Sequence, residues 1–438
     1  MKQHSGIKLP TASKVTLAGF DPECEKPKDK FVGEFLRALR EEKGLDQIGL
    51  AEMARCSPSL ISKFESGSQP VKTTSRGVHL LAALGTSVRE LEDVERGDES
   101  GKETVDRLLL AVSAAIAAPK LVNTLSRSRR ENLSEHCKAA LRMAFEGRYA
   151  LFGVRLSRLT NELQWIRANA KTRVAKGQAL QTLSQLYRAT SEILTALDEF
   201  DMAEVAANLA ISVGEELGDT TTTKCLLVHA NIAKARTYLG RGYPVRANQL
   251  LSGVQTLYEE LRKAGHHDSL VAVVAWLAAS GETHARLGDT DQAKNLYRSA
   301  INSARKITPV RSEESLHPGP VVTPSNVALM TLRTLGEAGD GMGVQEFANA
   351  VDFEILSRDE QLSAWIATAK SYCLCKEPTK ALTVLRKVQK LAPYELRVRG
   401  DVVMVLTEIR HQLVTSDVET FDRWICSLFA SSHVASSL

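Results

Sequence analysis

Aromatic residues are scarce, at 5% of the 438 positions, and with Ala and Leu abundant the balance favours helices over aromatic-rich strands. Long apolar runs are missing too. The longest uncharged ones, Leu108–Pro119 and Ser269–Gly281, fall far short of the roughly 20 residues that a bilayer crossing needs, so no membrane partner is expected. Met1–Phe20 mixes Lys, His, Pro and Thr without the apolar core of a secretion signal, and the protein is expected in the cytoplasm. The seven cysteines include no CxxC pair, which argues against a disulfide framework or a zinc site. Cys373 and Cys375 stand two apart, a spacing that puts them on different faces of a helix. Also absent are a P-loop, a GxGxxG after a strand, an HExxH and a plausible Ser/His/Asp cluster, and the ten histidines are scattered. No catalytic residue, cofactor or metal is expected, and the chain does not read as an enzyme.

What is present is ordinary for a folded protein, with 43% hydrophobic and 25% charged residues. The length exceeds a usual domain of roughly 100–200 residues, so at least two folded units are expected. The net charge of +4 is unevenly placed. Between Lys120 and Arg188 fourteen Lys and Arg face four Glu, whereas the first hundred residues hold fifteen basic and sixteen acidic residues. Any attraction of the N-terminal part for phosphate must therefore come from where its charges sit, or from the basic segment behind it. That segment reads either as a platform facing nucleic acid or as the lining of one end of a groove.

Residues 1–29 carry prolines and glycines with no sustained period and read as a mobile arm. Residues 30–95 hold short helices in quick succession, broken at Gly44, at Arg55–Ser57 and at Ser66–Pro70. Residues 96–103 are polar and read as a linker. From 104 to 430 apolar positions recur at helical spacing in segments of about 12–16 residues, the pattern of stacked helical hairpins. The exception is Thr308–Asn326, whose four prolines and one glycine predict an exposed connection of the kind that serves as a flap.

Within 30–95, Leu36, Leu39, Leu50, Ala51, Ile61 and Phe64 form the apolar stripes of three short helices, with Gly44 ending the first. Ser57 stands where an N-cap is wanted, followed by Pro58 at the first helical position, where a missing N–H is harmless. The run L-R-x-x-R-E-E-K-G-L-x-Q-x-x-L-A, then S-x-x-x-I-S-K-F-E-S-G, resembles the helix-turn-helix of phage repressors and the xenobiotic-response-element family, over about 65 residues to Val94. The resemblance implies a lambda-repressor-like domain that binds double-stranded DNA. It implies that Gln47 opens the scaffold helix and donates to a DNA phosphate, and that Ser57–Glu65 is the recognition helix. Pro58, Ser59, Ser62 and Lys63 would then face the major groove, with Lys63 best able to reach guanine acceptors. Arg40 and Glu65 match a partly buried ion pair of the family; without the resemblance they would read as solvated charges. Gly49 inside the second helix costs about 1 kcal/mol relative to Ala, and Arg55 occupies a turn position where the family prefers Gly.

Internal similarity is the second signal. Ala275–Lys306 places Gly281, Gly288, Ala293, Tyr297 and Ala300 with the spacing of a tetratricopeptide repeat, whose small residues let two antiparallel helices approach while an aromatic fills the gap. Gln361–Pro393 repeats this through Trp365, Ala369, Tyr372, Ala381 and Leu385. Val228–Leu261 follows more loosely through Ala235, Tyr238, Gly242, Ala247 and Leu251, and Thr182–Gly218 is a degenerate copy. The fold class expected is all-α, a helix-turn-helix domain followed by a tetratricopeptide-like α-solenoid. On the repeat's groove-facing positions stand His229, Arg236, Glu282, Arg286 and Lys370, either as ordinary solvated charges or as a mostly basic groove suited to an extended peptide with a carboxylate.

The domain order resembles that of the peptide-responsive regulators of the Rgg, NprR, PlcR and PrgX type. It implies a transcription regulator whose repeats bind a signalling peptide that shifts the geometry of a homodimer and its fit to DNA half-sites. The other reading keeps DNA binding and makes the groove a dock for a partner protein. The stretch Val402–Phe429, with Leu406, Leu413, Phe421, Trp424, Ile425 and Leu428, reads equally as a dimer contact and as a pair of helices capping the array.

Overall fold

The computed structural model describes residues 27–71, 75–86, 91, scattered positions between 106 and 113, 127–145, 147–307, 322–356, 358–391 and 400–430. Among these residues the regular structure is helical throughout, with no strand. None of the described helices is long and apolar enough to cross a membrane. The expected linker at 96–103 lies outside the described residues.

Four helices build the head: α1 (Pro27–Glu42), α2 (Gln47–Met53), α3 (Pro58–Glu65) and α4 (Ser75–Leu84). The first opens at Pro27, inside the stretch read as an arm; proline suits a helix start because a backbone N–H at that position would have no partner, so lacking one costs nothing. Val32, Phe35, Leu36 and Leu39 recur at three- and four-residue steps along α1 and are all buried, as an amphipathic stripe requires. Gly44 ends the helix with φ +69°. Asp46 caps α2 by accepting from the Gly49 N–H at 2.7 Å, and Ser57 caps α3 by accepting from the Leu60 N–H at 3.3 Å. The first cap closes the connection from α1 into α2, and the second closes the turn from α2 into α3.

The chain groups into two compact units that part between Ser269 and Leu270. The first holds the head together with α5 (Arg127–Phe145), α6 (Tyr149–Asn169), α7 (Arg173–Ala196), α8 (Phe200–Glu215), α9 (Thr221–Gly240), α10 (Pro244–Gly253), α11 (Gln255–Ala264) and the opening of α12 (His267–Arg286). One apolar core runs through it, from Phe35 and Leu39 of the head by way of Leu141, Phe152 and Leu156 to Tyr187 and Ala210. Four of its helices, α5, α6, α7 and α9, exceed the expected 12–16 residues, α7 reaching 24. The copy expected at Val228–Leu261 is also altered, because its second helix breaks at Val254 into α10 and α11.

The second unit holds the rest of α12 with α13 (Thr290–Ala304), α14 (Pro324–Glu337), α15 (Gly341–Ala348), a 3-10 turn at Phe353–Ile355, α16 (Arg358–Leu374), α17 (Pro378–Leu391), α18 (Gly400–Gln412) and α19 (Thr415–Ala430). Here the repeat spacing has its physical meaning. Tyr297 is fully buried, and a Cβ added at Gly281 would lie 3.0 Å from its ring, so α12 and α13 approach this closely only because Gly281 carries no side chain. Proline content misled the reading of Thr308–Asn326 at its end: α14 begins at Pro324, with Thr323 accepting from the Asn326 N–H at 3.1 Å. The residues from 308 to 321 lie outside the described set.

The turns inside the six helix pairs α5–α6, α7–α8, α9–α10, α12–α13, α14–α15 and α16–α17 each contain one left-handed residue, at Gly147, Asp198, Gly242, Gly288, Gly339 and Lys376 respectively. In the C-terminal pair, Val402, Leu406, Ile409 and Phe421 are buried, and Leu413, Trp424 and Ile425 pack against the same cluster. Trp424 donates to Gln389 Oε1 at 2.7 Å. These contacts support the capping reading, since the apolar side chains are used within the unit. Val403, Met404 and Val414 are the large hydrophobic residues of this pair left exposed among those described.

Candidate nucleic-acid interface

The short helix α3 has two unlike faces. Ile61 and Phe64 are buried in the head core, each contributing roughly 1.5–3 kcal/mol by leaving water. Ser57, Pro58, Ser59, Ser62 and Lys63 are exposed. Ser59, Ser62 and Lys63 follow at steps of three and four residues along one stripe, and Lys63 is the one basic side chain of α3. Ser57 has a double role, because its hydroxyl accepts the cap hydrogen bond yet keeps an O–H to donate outward.

Behind this face lies a polar cluster. Arg40 grips Glu65 with two hydrogen bonds, Nε to Oε1 at 2.5 Å and Nη2 to Oε2 at 3.1 Å, and donates Nη1 to the Leu45 carbonyl at 2.8 Å. The two side chains retain only 10% and 6% of their exposure. The hydrogen bond to Glu65 raises the Arg40 pKa further above its ordinary high value, so the charge persists throughout the accessible pH range. Gln47, expected to reach a DNA phosphate, donates its amide to Glu65 Oε2 at 2.9 Å. A second amide hydrogen is left for an outside acceptor. Arg40, Gln47 and Glu65 are thus brought together from α1, α2 and the end of α3, which pins α3 at its C-terminal end.

Two features of the head were not singled out from the sequence. Gly33 sits where α1 crosses the end of α3, and a Cβ there would overlap the Glu65 carbonyl oxygen. Ile48 and Met53 on α2 are large hydrophobic residues left 59% and 55% exposed, beside the turn that Arg55 makes with φ +52°. A single missing Cβ has no periodic signature in a sequence, and Ile48 is apolar off the buried stripe.

The head is tied to the helices behind it. Arg148 pairs with Glu34, and Arg158 donates to the Glu41 carbonyl while also binding Glu162 at 2.9 Å. Part of the basic segment read as a platform or groove lining therefore faces α1 instead.

The five groove-position residues divide between the units. His229 and Arg236 lie seven apart on one face of α9 in the first unit, with His229 9% exposed. In the second unit Glu282 and Arg286 share a face of α12, Arg286 pairs with Glu337 at 2.5 Å, and Lys370 is exposed on α16. Among the described residues no group of three or more His, Cys, Asp or Glu is placed to hold a metal ion.

Residues 32–108 match the family described as a helix-turn-helix domain. No curated protein matches the chain. Among solved structures it is similar to Bacillus thuringiensis PlcR, crystallised in complex with the peptide PapR7 and DNA, at 12% identity and a TM-score of 0.29 over 81% of this chain and 99% of that one. A likeness of that size carries no inference about ligands. The family match and the geometry of α1–α4 together make the N-terminal part of the chain a helix-turn-helix domain.

Proposed function

We propose that the chain is a sequence-specific DNA-binding transcription regulator acting in the cytoplasm, with α3 entering the major groove. Pro58, Ser59, Ser62 and Lys63 face base edges and Gln47 and Ser57 approach the flanking phosphates. The observation that carries this reading is the stripe of exposed short polar side chains and one cation on a helix whose opposite face is anchored by Ile61 and Phe64. In the same proposal the helical array binds a signalling peptide through His229, Arg236, Glu282, Arg286 and Lys370 and alters the geometry of a homodimer. Selection of genomic DNA fragments by the purified chain tests the first part. Enrichment that is lost in both Lys63→Ala and Gln47→Ala supports it, and enrichment unchanged in both removes it.

The second reading, an array that docks a partner protein, is favoured by the burial of His229 and the pairing of Arg286 with Glu337, which withdraw positive charge from a peptide carboxylate. Synthetic peptides that leave DNA affinity unchanged, beside a protein partner that alters it, would select this reading.

A further inference from the structure

A cavity of about 420 Å³ opens between α1 of the head and helices α5 and α6 behind it. Four guanidinium groups line it, from Arg37, Arg142, Arg148 and Arg155, against two carboxylates, from Glu34 and Glu41. Both carboxylates already have cations: Glu34 holds Arg148, and Glu41 holds Arg37 at 3.0 Å. Among the described residues the lining therefore carries two positive charges more than it neutralises. Arg155 is the sharpest case, since its Nε is shielded from solvent and has no hydrogen-bond partner among the described residues. Burial also lowers its pKa from the ordinary value, the sign of a cation whose desolvation is incompletely offset. An unsatisfied buried donor of this kind needs an acceptor.

We propose that this cleft binds a small, multiply charged oxyanion of the phosphate type, held between Arg142 and Arg155 and bridging the head to the array. Guanidinium groups suit this chemistry because their planar forks match two oxygens at once, and the volume lies in the range of small-molecule sites. His136, whose Nδ1 is engaged with the Asn132 carbonyl at 2.7 Å, completes the rim. Because Arg37 lies on α1 and Arg142 and Arg155 on α5 and α6, an anion among them adds attraction across the same junction that the Glu34–Arg148 pair already spans.

The test is calorimetric titration of the full chain with inorganic pyrophosphate, without DNA, at matched chloride ionic strength. The outcome is then independent of whether α3 reads DNA. One saturable site per chain is expected, weakened about tenfold or more in Arg142→Gln and in Arg155→Gln, the effect of losing a charge-assisted hydrogen bond. Arg142 is exposed, so its variant keeps the test meaningful should Arg155→Gln fail to fold by circular dichroism. Absence of saturable uptake, or uptake equally strong in Arg142→Gln, overturns the proposal.

Discussion

Arg40, Glu65 and Gln47 link three helices of the head, the first two through side chains that are almost fully withdrawn from water. Removing one partner of such a pair strands the other charge, at a cost of about 3–5 kcal/mol, whereas replacing both by apolar residues of similar volume can be neutral. Arg40→Ala should therefore destabilise the head far more than the double change Arg40→Met with Glu65→Leu, a difference that denaturant unfolding of the two variants reads directly. Equal losses would mean that the pair stands in solvent. The pairing itself was legible in sequence only through the resemblance, because twenty-five residues separate the partners and no spacing rule connects them. The hydrogen bond from Gln47 to Glu65 was not legible at all. It depends on where Asp46 starts α2, and therefore on a cap whose geometry is set by three-dimensional closure of the head.

Helix pairs are the next scale, and the contact between Gly281 and Tyr297 sets how closely one of them packs. A branched side chain at 281 must displace a fully buried ring, and overpacking of this kind costs about 1–3 kcal/mol. Gly281→Val is expected to lower the thermal midpoint of the chain by several degrees, followed by circular dichroism, while Gly253→Val, at a glycine with open space around it, should fall short of that. The α12–α13 pair was legible because small residues and one tyrosine recur at fixed offsets. The α14–α15 pair, inside the stretch read as stacked helical hairpins, was not singled out as a repeat copy although it has the same architecture. Its turn, Gly339 with Asp340 capping α15, repeats the Gly288–Asp289 turn of the earlier pair, but the position of Tyr297 has no tyrosine counterpart, and the preceding prolines drew attention to a loop. Pro324 is compatible with a helix because it stands at the first position, where proline does no harm.

At the scale of the molecule, the sequence suggested a head and an array separated by a polar linker. The described residues give the head a firmer attachment: α1 shares an apolar core with α5 and α6, and Arg148 and Arg158 fasten it from behind. Composition could locate the basic segment but could not say which way it faces, since a cation that binds a carbonyl and one that faces solvent look alike in a sequence. With α1 held from behind and Glu65 pinned at the far end of α3, the exposed stripe of α3 is left as a preorganised surface, and the proposal that this stripe reads DNA is the claim on which the functional account rests. It is tested most directly by fluorescence anisotropy of a selected duplex with the double variant Ser59→Glu, Ser62→Glu, which places two negative charges on that stripe without touching Ile61 or Phe64. Repulsion from the DNA phosphates should weaken binding by about a hundredfold or more, with helix content unchanged. Affinity equal to that of the parent chain would contradict the account, because no helix can enter the major groove with those residues foremost and be indifferent to their charge.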